Sequence, residues 1–172
     1  MTRRRRGANG GRLGAVLAVA LVMAVAGADA KDTARPAFPL ADCATLQRPT
    51  SPNTWLAASH GPCAAIADEP APDFPVDAAR QAKAWQAWLA LQPRVERVWR
   101  SDDGLWIEVT DRTPLFGFVD RVSIAIRPLT DGRSTVAVYS RSEVGYWDLG
   151  TNRSRVRAWL RGVGKRLSGG GD

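Results

Sequence analysis

The residues of this chain best equipped for chemistry lie in its second half: Asp120, Ser140, Ser142, Tyr146, Asp148, Asn152 and Arg153. Two carboxylates, two hydroxyls and a phenol could serve as an acid pair or polarise a substrate if the fold brings them together. Neither serine has the setting of a nucleophile elbow, and the sole histidine, His60, lies far upstream. A hydrolase built on Asp120, Tyr146 and Asp148 is therefore the minor reading, and no residue is assigned a catalytic role. The same residues fit anion binding, because backbone N–H groups at the start of a following helix, reinforced by Arg153, could hold a phosphate or carboxylate. They equally fit helix capping, with Asp148 or Thr151 accepting from the first turn and Gly145 and Gly150 allowing the bend.

The elements that must position these side chains are legible from periodicity. Asp77 reads as an N-cap, and Ala78, Ala82, Trp85 and Leu89 fall on one face of a helix that Pro93 ends. The period then changes to two. Val95 to Arg100 is an expected strand, and Asp102-Asp103-Gly104 is an expected turn. Leu105, Ile107 and Val109 alternate with Trp106, Glu108 and Thr110; Phe118 to Pro128 resumes with Val122, Ile124 and Ile126 inward. After Thr130-Asp131-Gly132-Arg133, Ser134 to Val144 supplies a fourth strand, with Val136 and Val138 inward and Tyr139 and Arg141 outward. A helix from about Gly150 to Leu167 closes the domain, its inner face Val156, Trp159, Leu160, Val163 and Leu167. Its other positions include Arg153, Arg155, Arg157, Arg161, Lys165 and Arg166, with no acid. Helix, four strands, helix is the order of an α+β domain: a four-stranded antiparallel meander with an N-terminal and a C-terminal helix packed on one face. Trp85 and Trp159 are expected in the core, while Trp88 and Trp106 fall nearer the outer faces, where they could form a platform.

The N-terminus carries an address. Arg3 to Arg6 and Arg12 precede Leu13 to Ala28, 16 small and apolar residues without a charge, and Ala28-Asp29-Ala30 offers a cleavage site before Lys31. These are the parts of a secretory signal peptide. The run is short for a membrane span, which needs about 20 residues, so cleavage is favoured over an anchor. The expectation is export to the periplasm or the medium, with membrane association as the alternative if the segment stays. Without residues 1–30, the net charge of +7 falls to +3, too little to argue for nucleic acid. Residues 31–76 hold eight of the eleven prolines and read as an extended lead-in to a domain over 77–167, with 168–172 as a disordered tail.

Both cysteines, Cys43 and Cys63, lie in that lead-in. In an oxidising compartment an isolated pair points to a disulfide, worth about 3 kcal/mol for a loop of this size. A metal site using His60 is the alternative, but it lacks a fourth ligand nearby. No metal or cofactor is expected. The basic helix directs the expected partner toward an anionic envelope lipid or polymer, or a protein.

The stretch Phe118-Val119-Asp120, followed after a strand by Gly145-Tyr146-Trp147-Asp148-Leu149-Gly150-Thr151-Asn152-Arg153, resembles an uncharacterised bacterial family, domain of unknown function 1499. The likeness runs from the Cys43 region to the final helix. One departure is that Pro52-Asn53 is followed by Thr54, where the family usually has its second cysteine; here the second cysteine is Cys63. Another is Tyr139 and Glu143 in a strand where the family tends to be basic, which weakens an anion site built there. The resemblance implies an envelope-associated protein and no established reaction.

Overall fold

Alternating apolar residues in the second half of the chain close into a sheet because each strand buries one row of side chains against helices. The computed structural model describes residues 46–113 and 116–169. Residues 1–30, expected as a signal peptide, Cys43 and residues 170–172 lie outside the described residues. The strands are β1 (Thr54–Ala57), β2 (Val95–Arg100), β3 (Trp106–Arg112), β4 (Val119–Pro128) and β5 (Ser134–Ser142). The helices are α1 (Ala78–Leu89) and α2 (Thr151–Ser168), with a short 3-10 turn at Pro62–Ile66.

The sheet is antiparallel in the order β1-β5-β4-β3-β2. Strands β2 to β5 form the expected meander, but the sheet has five strands, not four. The first helix is also not the first element, since β1 and the 3-10 turn precede it. β1 escapes sequence reading for a physical reason. It is four residues long, lies between Pro52 and Pro62, and is buried on both faces, so no alternation marks it. Its pairing partner is more than eighty residues away, with Thr54 opposite Arg141 and Ala57 opposite Val138.

Both helices pack on one sheet face, as expected. Ile107, Val109, Val122, Ile124, Val136 and Val138 meet Trp85 and Leu89 of α1 and Val156, Trp159 and Val163 of α2. Each such side chain contributes about 1.5–3 kcal/mol of apolar burial. Asp77 caps α1, its carboxylate accepting from Arg80 N–H at 2.7 Å. Where the helices cross, Gly162 lets the Trp88 ring lie so close that an added Cβ would sit 2.3 Å from Cη2.

The opposite face is covered by the lead-in, which is part of the core and not merely an approach to it. Leu56, Ala58 and Cys63 bury against Ala125, Ala137 and Tyr139, with Leu46, Ala67 and Trp106 at the edge. Tyr139 was expected outward; it does face away from the helices, but the lead-in buries it. Burial accordingly raises the Tyr139 pKa, against a partial offset from the Arg48 and Arg141 charges. Cys63 is fully buried here. Trp88 and Trp106 form no outward platform: one packs between the helices and the other donates its indole N–H to buried Glu108.

Candidate functional site

At the end of the sheet where β4 begins and β5 ends, polar residues enter the helix-facing side. Pairing puts Asp120 opposite Ser142 and Asp111, and Val122 opposite Ser140. Asn152 of the first turn of α2 descends onto this spot, as does Arg155 one turn later. The result is a buried network centred on Arg155. Its Nη2 donates to Asp120 Oδ2 at 2.5 Å, its Nε to Asp111 Oδ2 at 2.7 Å, and its Nη1 to Ser140 Oγ at 3.0 Å and Asn152 Oδ1 at 2.9 Å. All three charged side chains are at most 5% exposed. Asn152 is used completely: its Oδ1 also accepts from Ser140 Oγ at 2.6 Å, and its Nδ2 donates to Asn53 O at 2.8 Å and Ser142 Oγ at 3.0 Å.

This geometry sorts the residues expected at the site into three groups. Asp120, Ser140, Ser142 and Asn152 do come together, as the alternation implied, and they hold α2 to β4, β5 and the start of β1. Asp148 takes the capping role, with Oδ1 accepting from Gly150 N–H at 3.0 Å and Oδ2 from Asn152 N–H at 2.8 Å. Two amides that could have received an outside anion thus already hold an internal carboxylate. Tyr146 and Arg153 stay outside the network. Tyr146 is exposed, edge-on to Trp147 with ring centroids 5.5 Å apart, and Arg153 lies 5.0 Å above the Trp55 ring. Asp120 and Asp148 are consequently each engaged by separate partners, and Tyr146 stands exposed outside the network.

The residue that sequence reading passed over is Arg155. It was counted with the basic positions of α2, but its helical phase matches Asn152 and Trp159, three and four residues away on the buried face. That phase is the available signal. Asp111, the second carboxylate, gave none beyond its place at the end of a strand.

A second constellation lies along α2. Trp55 carries the Arg153 and Arg157 guanidinium groups over its ring, at 5.0 and 5.7 Å, while its N–H donates to Glu69 Oε1 at 2.9 Å. Arg157 donates to the other Glu69 oxygen at 2.7 Å. Burial alone would raise the Glu69 pKa, but hydrogen bonds from Arg157 and Trp55 and the charges of Arg157 and Arg153 outweigh it and hold the carboxyl below its ordinary value. Beside this cluster an open groove of about 520 Å³ runs between α2 and residues 69–74. It is lined by the apolar Pro70, Pro72, Phe74 and Leu160 and by the charged Glu69, Arg157 and Arg161.

Residues 46–163 match the family described as "Protein of unknown function (DUF1499)". No curated protein matches the chain. Among solved structures, a START-superfamily protein from Mycobacterium smegmatis is 12% identical, with a TM-score of 0.35 over 57% of this chain and 94% of that one. The protein Ara h 8.0201 is also 12% identical, with a TM-score of 0.33 over 58% of this chain and 95% of that one. Neither superposition is close enough to assign a ligand or a fold.

Proposed function

The chain belongs to the DUF1499 family, and on that premise we propose a non-enzymatic binding module, exported from the cytoplasm, that holds an anionic and partly apolar ligand of the cell envelope. The observation that carries this reading is the groove beside α2, lined by Pro70, Pro72, Phe74 and Leu160 together with exposed Arg161, the one of its two arginines that Glu69 does not pair. An apolar lining rewards burial of a hydrocarbon portion. A guanidinium group in the same lining matches a phosphate or carboxylate bidentately. The charge pattern of α2 supports the same reading. Arg155 is neutralised in the core and Arg157 is paired with Glu69, while Arg161, Lys165 and Arg166 remain exposed on a helix without an acid. In this reading the Cys43–Cys63 bridge fastens the lead-in to the second sheet face.

The test is calorimetric titration of the full chain with dodecyl phosphate below its micellar concentration, with dodecyl maltoside as the uncharged control. Saturable binding of the phosphate that weakens at least tenfold in Arg161→Glu supports the groove, since removing one cation near an anion and adding a repulsive charge each count about 1 kcal/mol. Equal affinity of wild type and variant rejects it.

A further inference from the structure

The loops at the network end of the sheet present a surface unlike the rest of the domain. Residues 113–118 connect β3 to β4 and residues 143–150 connect β5 to α2. They are neighbours, because Asp120 pairs with Ser142 and Glu143 N–H donates to Val119 O at 3.1 Å. Phe116, Phe118, Val144, Tyr146, Trp147 and Leu149 all project from them into solvent, Trp147 at 70% and Leu149 at 89% exposure. Among the described residues this collects most of the large exposed apolar side chains at one tip.

Backbone strain sharpens the observation. Leu149 has φ +52°, a left-handed conformation that a leucine adopts only at a cost, and Gly145 and Gly150 flank it at +88° and +78°. A buried leucine could recover that cost through packing, but this one is exposed. Strained residues of this kind cluster at functional positions, where the surrounding structure holds them.

We propose that this tip inserts into the interfacial layer of a lipid bilayer. Four observations favour a bilayer over a protein partner. The exposed side chains stand on two adjoining segments, and a fluid interface accepts them without complementary contours. Its aromatic members include Tyr146 and Trp147, whose polar edges and apolar bodies suit the headgroup boundary. The carboxylates around it are already engaged: Glu143 with Arg121, Glu96 with Arg112, Asp148 on backbone amides, and Asp111 and Asp120 with Arg155. Finally, the same chain carries the apolar run Leu13–Ala28, which in the alternative to cleavage keeps the protein at a membrane. Among the described residues no helix is long and apolar enough to cross a membrane. The inference is independent of the groove.

The experiment uses the full chain in phosphatidylcholine vesicles with and without doxyl-labelled lipid. The emission of Trp147 is isolated as the difference between wild type and Trp147→Phe, and circular dichroism confirms that both are folded. Insertion predicts a blue-shifted Trp147 component quenched at least twofold by doxyl lipid, with quenching lost in Leu149→Ser. Phosphatidylcholine has no net charge, and the quenching is expected unchanged in Arg161→Glu, which keeps the result separate from the groove. A Trp147 component that is quenched by aqueous iodide and untouched by doxyl lipid overturns the proposal.

Discussion

Replacing Arg155 is expected to destabilise the protein far more than replacing Arg153, its near neighbour of identical chemistry. Arg155 makes four side-chain hydrogen bonds, two of them to carboxylates, in a site where all three charges are at most 5% exposed. Arg155→Met leaves Asp111 and Asp120 without their cation, and breaking a buried pair in this way costs about 3–5 kcal/mol. Asp120 Oδ1 already has no hydrogen-bond partner among the described residues, so this carboxylate has little to fall back on. A domain has about 5–15 kcal/mol in total, which makes the variant marginal. Arg153→Ala removes a contact over Trp55 at an exposed position, worth about 0.5–1 kcal/mol. Urea unfolding followed by circular dichroism separates the two. With a slope of about 1–3 kcal/mol per molar, the Arg155 midpoint falls by at least about 1 M and the Arg153 midpoint by under about 1 M. Adding Asp111→Asn and Asp120→Asn to Arg155→Met should recover part of the loss, because the uncompensated charges are gone. If Arg155→Met unfolds at the same urea concentration as Arg153→Ala, the buried-network argument is wrong.

Leu149→Gly should raise stability by roughly 0.4–1 kcal/mol, since glycine adopts φ +52° without strain, and a higher thermal midpoint in the absence of membrane would show it. Asp148→Ala, which strips Gly150 and Asn152 N–H of their acceptor, is expected to cost about 1 kcal/mol in urea unfolding; an unchanged midpoint would argue against the cap. For Glu69 the folded pKa is lowered, so its contribution is complete above the unfolded value of about 4.3 and is lost as pH falls through the folded value. Glu69→Gln should therefore flatten the stability–pH curve below about pH 4.3, and parallel curves for the two proteins would contradict the assignment.

What could be read from the sequence was local. β2 to β5 alternate with a period of two because one face of each meets the helices. The two helices show their 3.6-residue stripes, and Asp77 and Asp148 cap them through bonds to residues two to four positions away. The approach of Asp120, Ser140 and Ser142 also followed from alternation, since a strand's even positions share a face whatever its partner.

The tertiary structure decided everything that depends on a distant partner. Thr54–Ala57 is a strand only because β5 offers an open edge, and four residues buried on both sides carry no periodic signature. The proline-rich lead-in is core because the second face of the sheet needs a cover, a demand that lies in Ala125, Ala137 and Tyr139 and not in the lead-in itself. Arg155 and Arg153 are the same residue type two positions apart, yet one is a buried counter-ion and the other a surface cation. Composition treats them alike; the turn of the helix, and the carboxylates of β3 and β4 beneath it, separate them.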